Sequence, residues 1–293
     1  MPVTALVLVV LAGLIHAVWN IAAKKDDGDV RFAFFIAFFK VLVWAPAGLY
    51  LGWQQLAAWG IAEWTCVVAS GLIHVLYFVV LLRGYRKSDL TVVYPLARGS
   101  GPLISSLLAI ALFGEHISAL GFTGIAAVVF GVFLIAGGPG MWSKLHTGEQ
   151  RVRLHRGMQY GVLTGVTIAS YTLVDGYAVK VLHMSPVLMF YIACCVQGLL
   201  MLLPVLQDIG TARRHWQCQW KYALLVGAVS PVSYVMVLYA LQIAPLSHVA
   251  PAREVSMLFA ALLGGHLLGE GDRLARLCGA ACIGLGVVAL AMG

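Results

Sequence analysis

The chain has 293 residues, of which 61% are hydrophobic and 11% charged, with a formal net charge of +7 at pH 7. A soluble domain of ordinary composition carries roughly 25% charged residues to keep its surface hydrated. This composition therefore excludes a water-soluble globular protein, and it leaves no hydrophilic stretch large enough for a nucleotide-binding domain that could supply chemical energy.

Crossing a hydrocarbon core of about 30 Å by helix takes roughly 20 apolar residues. In chain order, the apolar runs predict transmembrane helices over 3–23, 32–53, 64–82, 90–113, 117–137, 157–181, 186–207, 220–241, 247–268 and 274–292. The fold class is thus an all-α integral membrane protein of about ten spans joined by short hairpins. The first run has no basic leader and no small-residue cleavage site, so it is expected to stay as the first span. Cys194 and Cys195 are adjacent, yet the six cysteines form no C-x-x-C pair. They predict buried free thiols with no disulfide, no metal and no cofactor.

Lys24, Lys25, Arg31, Arg83, Arg86, Lys87, Arg151, Arg153, Arg213, Arg214 and Arg273 all fall near odd-numbered connections, whereas the opposite side carries essentially Lys180. Short loops rich in Lys and Arg stay cytoplasmic, so the odd loops are expected inside and both termini outside. The positive charge is then a topology signal. A nucleic-acid surface would need aromatic and polar area beside the basic residues, and these hairpins lack it.

At a constant offset of 155 residues, Ala97-Arg98 falls on Ala252-Arg253 and Gly114-Glu115 on Gly269-Glu270. Gly124 and Gly131-Val132 fall on Gly279 and Gly286-Val287, Lys25 on Lys180, and Asn20 on Asp175. The chain is therefore read as two five-helix repeats, residues 1–137 and 157–293, joined by a linker at 138–156. Five spans is an odd number, so the second copy enters the membrane inverted. Inverted repeats around a central mid-membrane cavity are an architecture of secondary transporters working by alternating access. Spaced glycines at Gly121, Gly124 and Gly131 and at Gly279, Gly284 and Gly286 are expected to pack helices closely.

Ionisable residues inside a span cost roughly 2.5–3.5 kcal/mol near its centre and need a polar cavity or a partner. Arg98 and Arg253 occupy equivalent places on the fourth helix of each repeat, among Pro95, Gly99, Gly101 and Pro102 or after Pro245 and Pro251, where the helix is weakened. Their guanidiniums either hold an anionic group of a substrate, for which Arg offers a forked donor, or pair with Asp175 or Glu254 and tie the halves together. His16 and Asn20 share one helical face and match Tyr171 and Asp175 at the same offset. Asp175 is a candidate for proton coupling, with Glu254 a second. His74, Tyr77 and Trp19, together with Tyr94 and Tyr234, are candidates to line the same space. Lys40 is close enough to its helix end for its stem to snorkel to water. Glu115 and Glu270 are read as helix caps.

The five-helix repeat, the closing Gly114-Glu115 and Gly269-Glu270 and the opening His16-Ala17-Val18-Trp19-Asn20 resemble the EamA-type members of the drug/metabolite transporter superfamily. Arg98 in Tyr94-Pro95-Leu96-Ala97-Arg98-Gly99 also resembles a subgroup associated with phosphonate utilisation. The resemblance implies a ten-helix carrier with a central cavity for amino acids, other metabolites or drugs, and many such members have both termini in the cytoplasm, opposite to the charge bias here.

The expected function is a secondary-active transporter of a small polar metabolite with an anionic group, amino-acid-like or aminophosphonate-like, in a bacterial inner membrane. Its partners would be the bilayer, a small-molecule substrate and protons as coupling ion, with no nucleic acid, and the protein would be a monomer or homodimer. An exporter of lipophilic cations, relying on Asp175, Glu254 and aromatics, is the alternative. A membrane scaffold is a further one. No H-E-x-x-H, G-x-S-x-G or D-D-x-x-D motif is present, so an enzyme is not expected.

Overall fold

A backbone in lipid satisfies its N–H and C=O groups only internally, so long apolar runs become helices. The computed structural model describes residues 1–23, 30–88, 90–135, 148–268 and 273–293. Their helices are α1 (Val3–Ala23), α2 (Val30–Leu56), α3 (Ile61–Lys87), α4 (Leu90–Phe113), α5 (Ala119–Ile135), α6 (Gly148–Lys180), α7 (Pro186–Gln207), α8 (Ile209–Ile243), α9 (Leu246–Ala252), α10 (Val255–Leu268) and α11 (Arg273–Met292). Seven of them, α1 to α4 and α6 to α8, are long and apolar enough to cross a membrane. The 17 residues of α5 rise about 25 Å, close to the lower limit for a span.

Two departures from the predicted elements have local causes. α6 and α8 start well before their apolar runs, because Glu, Gln, Arg and Lys are good helix formers and continue the helix into water. Asp208 opens α8 by accepting the Thr211 N–H at 3.0 Å, as an N-cap does. The expected linker 138–156 is accordingly helical from Gly148 onward, and residues 136–147 lie outside the described ones.

The second departure is the ninth span, which divides into α9 and α10. Pro251 has no N–H to donate to the Ser247 carbonyl four residues earlier. The Ser106 hydroxyl of α4 donates to that carbonyl instead, at 3.1 Å. Beyond the proline the chain tightens: Glu254 N–H reaches the Pro251 carbonyl at 2.9 Å and Met257 N–H the Glu254 carbonyl at 2.8 Å, three-residue spacings that end one helix and begin another. α4, by contrast, runs unbroken through Pro95 and Pro102.

The two halves pack by matched partners. With α1 to α5 equivalent to α6, α7, α8, α9–α10 and α11, the packing of α1 on α8 is repeated as α3 on α6, while α2 meets α7 and α5 meets α11. The α5–α11 contact defines the symmetry. A Cβ on Gly124 would sit 2.8 Å from the Gly286 carbonyl oxygen, and one on Gly279 would sit 2.7 Å from that of Gly131. The reciprocal distances, from Gly286 to Gly124 and from Gly131 to Gly279, are 2.8 and 2.6 Å. The Gly124–Gly286 contact is thus the counterpart of the Gly279–Gly131 contact, and rising numbers on one helix meet falling numbers on the other. Helices exchanged in this antiparallel way are related by a two-fold axis running across them, which for membrane-spanning helices lies in the membrane plane.

Both chain ends lie together on one face, where the Met1 ammonium donates to the Ala291 carbonyl at 2.9 Å. The outward surface carries Leu42, Leu51, Leu199 and Leu285, all well exposed, as a lipid-facing surface requires. The six cysteines are free, but only Cys194 is buried, and Cys218 and Cys278 are exposed. The expectation of six buried thiols therefore fails for most of them: on a span such as that of Cys278 an outward position in lipid is as apolar as the core, and Cys218 lies on the part of α8 that precedes its apolar run.

Candidate functional site

A cavity of about 250 Å³ lies between the halves and is walled by α1, α2 and α3 from the first and α6, α7 and α8 from the second. Along α7 it extends from Met189 to Met201, about 18 Å of helix rise. Among the described residues, none of α4, α5, α9, α10 or α11 is part of its lining. Of the residues predicted from the sequence, His16, Trp19, His74, Tyr77, Tyr171 and Asp175 line it, joined by Tyr234. Asn20, Arg98, Arg253 and Tyr94 do not.

An aromatic wall orders the polar groups. The His74 ring stacks on Tyr171 with centroids 4.1 Å apart, and Tyr77 and Tyr234 meet Tyr171 edge-on at 5.9 and 6.3 Å. His74 Nδ1 donates to the Ser70 carbonyl at 2.8 Å. A carbonyl only accepts, so the proton of a neutral His74 is on Nδ1 and Nε2 is left as an acceptor. His16 packs edge-on against Trp19 at 4.7 Å.

Asp175 is 1% exposed, and its Oδ2 accepts the Tyr234 hydroxyl. Its Oδ1 has no hydrogen-bond partner among the described residues, and neither have Trp19 Nε1 and Ser230 Oγ. Buried polar atoms without partners are scarce in folded proteins, since each costs about 1–3 kcal/mol. Here an acceptor, a donor and a hydroxyl left open all belong to residues of the same cavity wall. Opposite in charge to Asp175 is Lys40, also in the wall, with its ammonium 5.8 Å from the Phe190 ring centroid. Lys40 makes no ion pair among the described residues, and its side chain lines the cavity, a place beside the snorkelling one read from the sequence. Position alone in the second span could not distinguish the two.

Neither arginine is part of the lining. Arg98 Nε lies 2.9 Å from Glu254 Oε2 and Arg98 Nη2 donates to Ser256 Oγ at 2.8 Å. Glu254 is 1% exposed and sits at the break between α9 and α10. Arg98 thus carries the interhelical ion pair that was one of its two sequence readings. The buried Arg253 Nε has no hydrogen-bond partner among the described residues, but Arg253 does not line the cavity.

On the face that holds the chain ends, Glu115 joins the halves. Its Oε1 accepts Lys180 Nζ and Leu246 N–H, and its Oε2 accepts Ser247 N–H, each at 2.8 Å. It therefore caps α9 of the other half, while Ser118 caps its own following helix by accepting the Gly121 N–H at 3.0 Å. Burial raises the Glu115 carboxyl, but the Lys180 ammonium and the two amides outweigh this and hold it below the usual carboxylate range. Its sequence counterpart Glu270 lies outside the described residues. Among the described residues no group of three His, Cys, Asp or Glu side chains could hold a metal ion.

No functionally curated protein matches the chain. A solved crystal structure of a protein 14% identical in sequence superposes with a TM-score of 0.73 over 100% of this chain and 98% of its own, which shows a shared fold. The EamA-like transporter family matches residues 3–137 and again residues 155–292, once per repeat. With both repeats matched, and with a cavity between two inverted sets of membrane helices, the chain belongs to the EamA-like transporter family.

Proposed function

We propose that this transporter is a secondary-active carrier of a small polar metabolite bearing an anionic group, amino-acid-like or aminophosphonate-like. The observation that carries the reading is the cavity between the halves, where Asp175 Oδ1, Trp19 Nε1 and Ser230 Oγ are buried without hydrogen-bond partners among the described residues. A ligand with both donors and acceptors completes them. The volume of about 250 Å³ falls below the roughly 300–1,000 Å³ of drug-sized sites, which favours a metabolite over a bulky lipophilic cation.

In this reading residues 1–137 and 157–293 are the two inverted halves, and exchanging their positions exposes the cavity alternately to each side. His16, Trp19, His74, Tyr77 and Tyr171 shape the site. Asp175 is the group that exchanges its open oxygen between ligand and proton, and Glu254 is held by Arg98 outside the lining. Arg98, Arg253 and Asn20 act through the helices they position. The basic connections face the cytoplasm and the termini the outside, in a bacterial inner membrane.

The test is counterflow in proteoliposomes preloaded with unlabelled amino acids or 2-aminoethylphosphonate, with the labelled compound outside. Accumulation above protein-free vesicles, abolished in Asp175→Asn, is expected. Equal accumulation in both kinds of vesicle, or flux competed by tetraphenylphosphonium and by no anion-bearing compound, refutes the reading.

A further inference from the structure

We infer that Lys40 is the anion-binding residue of the cavity and that, with Asp175, it makes the site selective for zwitterions. This assignment rests on the carrier reading above and names the substrate class of the same cavity. The sequence symmetry pointed to Arg98 and Arg253 for the anion. Arg98 is instead committed to Glu254 and Ser256, and neither arginine lines the cavity. A substrate anion in the cavity therefore meets Lys40.

Lys40 and Asp175 are placed to share one ligand. The Lys40 ammonium stands 5.8 Å from the Phe190 ring, Phe190 meets Tyr234 at 5.7 Å, and Tyr234 donates to Asp175. The two charges are thus linked around the wall by two aromatic rings, and all four side chains face the same space. Trp19 Nε1–H is a second open donor for an anion, and Asp175 Oδ1 is the open acceptor for an ammonium. The lining itself offers one cation and one anion, with Arg253 acting on Asp175 from outside it, and a ligand with only one charge engages only one of the two in a medium of low dielectric constant, where an unengaged charge is expensive. A ligand carrying both charges meets both. The symmetry supports separate roles, because Lys40 falls on Cys195 and Asp175 on Asn20 at the repeat offset. Neither charge has a counterpart in the other half, and each half supplies one.

The experiment is isothermal titration of the purified full chain in detergent. Probes are glycine, β-alanine, γ-aminobutyrate, L-phenylalanine and 2-aminoethylphosphonate, with butylamine and butyrate as single-charge controls. The expected result is that at least one zwitterion binds the parent at least about tenfold more tightly than either control, a factor equal to about 1.4 kcal/mol. Lys40→Gln and Asp175→Asn should each weaken that zwitterion by tenfold or more, and Lys40→Arg should retain most of the affinity. Thermal unfolding without ligand identifies a variant that has lost its fold, and the Lys40→Gln and Lys40→Arg comparison stands without Asp175→Asn. Unchanged zwitterion affinity in folded Lys40→Gln overturns the assignment, as does tighter binding of butylamine or butyrate or no binding of any zwitterion by the parent. Failure of the carrier reading is distinct: it appears as Lys40-dependent binding with no counterflow in proteoliposomes.

Discussion

Replacing Glu115 by Ala removes three accepted hydrogen bonds at once and leaves the Leu246 and Ser247 amides and the Lys180 ammonium to find other partners. The Lys180 side chain is 32% exposed, so water replaces most of its share, and the cost falls mainly on the two amides at the start of α9. Hydrogen bonds to a charged group contribute about 1.5–3 kcal/mol net, and partial access to water lowers the total to about 2–4 kcal/mol. For a chain of this size each kcal/mol moves the midpoint by roughly 2–4 °C, so a fall of about 5–15 °C is expected. The eight tryptophans allow thermal unfolding in detergent to be followed by intrinsic fluorescence. The pH dependence tests the cause. Glu115 titrates below its unfolded value near 4.3–4.5, so its contribution is complete above that value and is lost as pH falls through the lower folded value. The gap between parent and Glu115→Ala should therefore be full at pH 7 and close progressively below about pH 4.3. Equal midpoints at pH 7, or a gap of constant size down to pH 3.5, refute the reasoning.

Two further predictions concern the scaffold. Glu254→Ala leaves the Arg98 charge without its ion-pair partner and should cost about 3–5 kcal/mol, whereas Arg98→Met with Glu254→Leu should cost less than Glu254→Ala alone; thermal unfolding of the single and double variants decides, and equal costs refute it. Alanine at Gly124, Gly131, Gly279 or Gly286 should each cost about 1–3 kcal/mol by forcing α5 from α11, with symmetry-related positions alike; a variant with an unchanged midpoint would contradict the close approach.

The spans were legible because apolar length is a one-dimensional property, and the repeat because Arg, Gly-Glu and spaced Gly recur at a fixed offset. What a proline does was less legible. Pro95, Pro102 and Pro251 look alike in sequence, yet only Pro251 coincides with a break, and the Ser106 hydroxyl that takes up its freed carbonyl is 141 residues away. The site shows the same division. The face shared by His16 and Asn20 follows from helical spacing, but Asn20 is absent from the cavity lining and His16 is in it. Arg98 and Arg253 stood out by symmetry, which reports equivalence between halves and not which helices surround a cavity. Lys40, without a symmetry mate, had no such signal, and its place follows only from how α2 packs against α7 and α8.

The glycine seam between α5 and α11 has a consequence for how such a chain can change. Its close contacts are reciprocal, so an alteration at one glycine disturbs a carbonyl whose own counterpart is equally confined. The seam is therefore intolerant of drift in either copy. The cavity wall is built from other helices, and along these helices the two copies already differ, Asn20 against Asp175 and Lys40 against Cys195. Architecture and chemistry occupy separate helices, so a duplicated gene of this design can be retuned to a new ligand one side chain at a time while its symmetric frame stays intact.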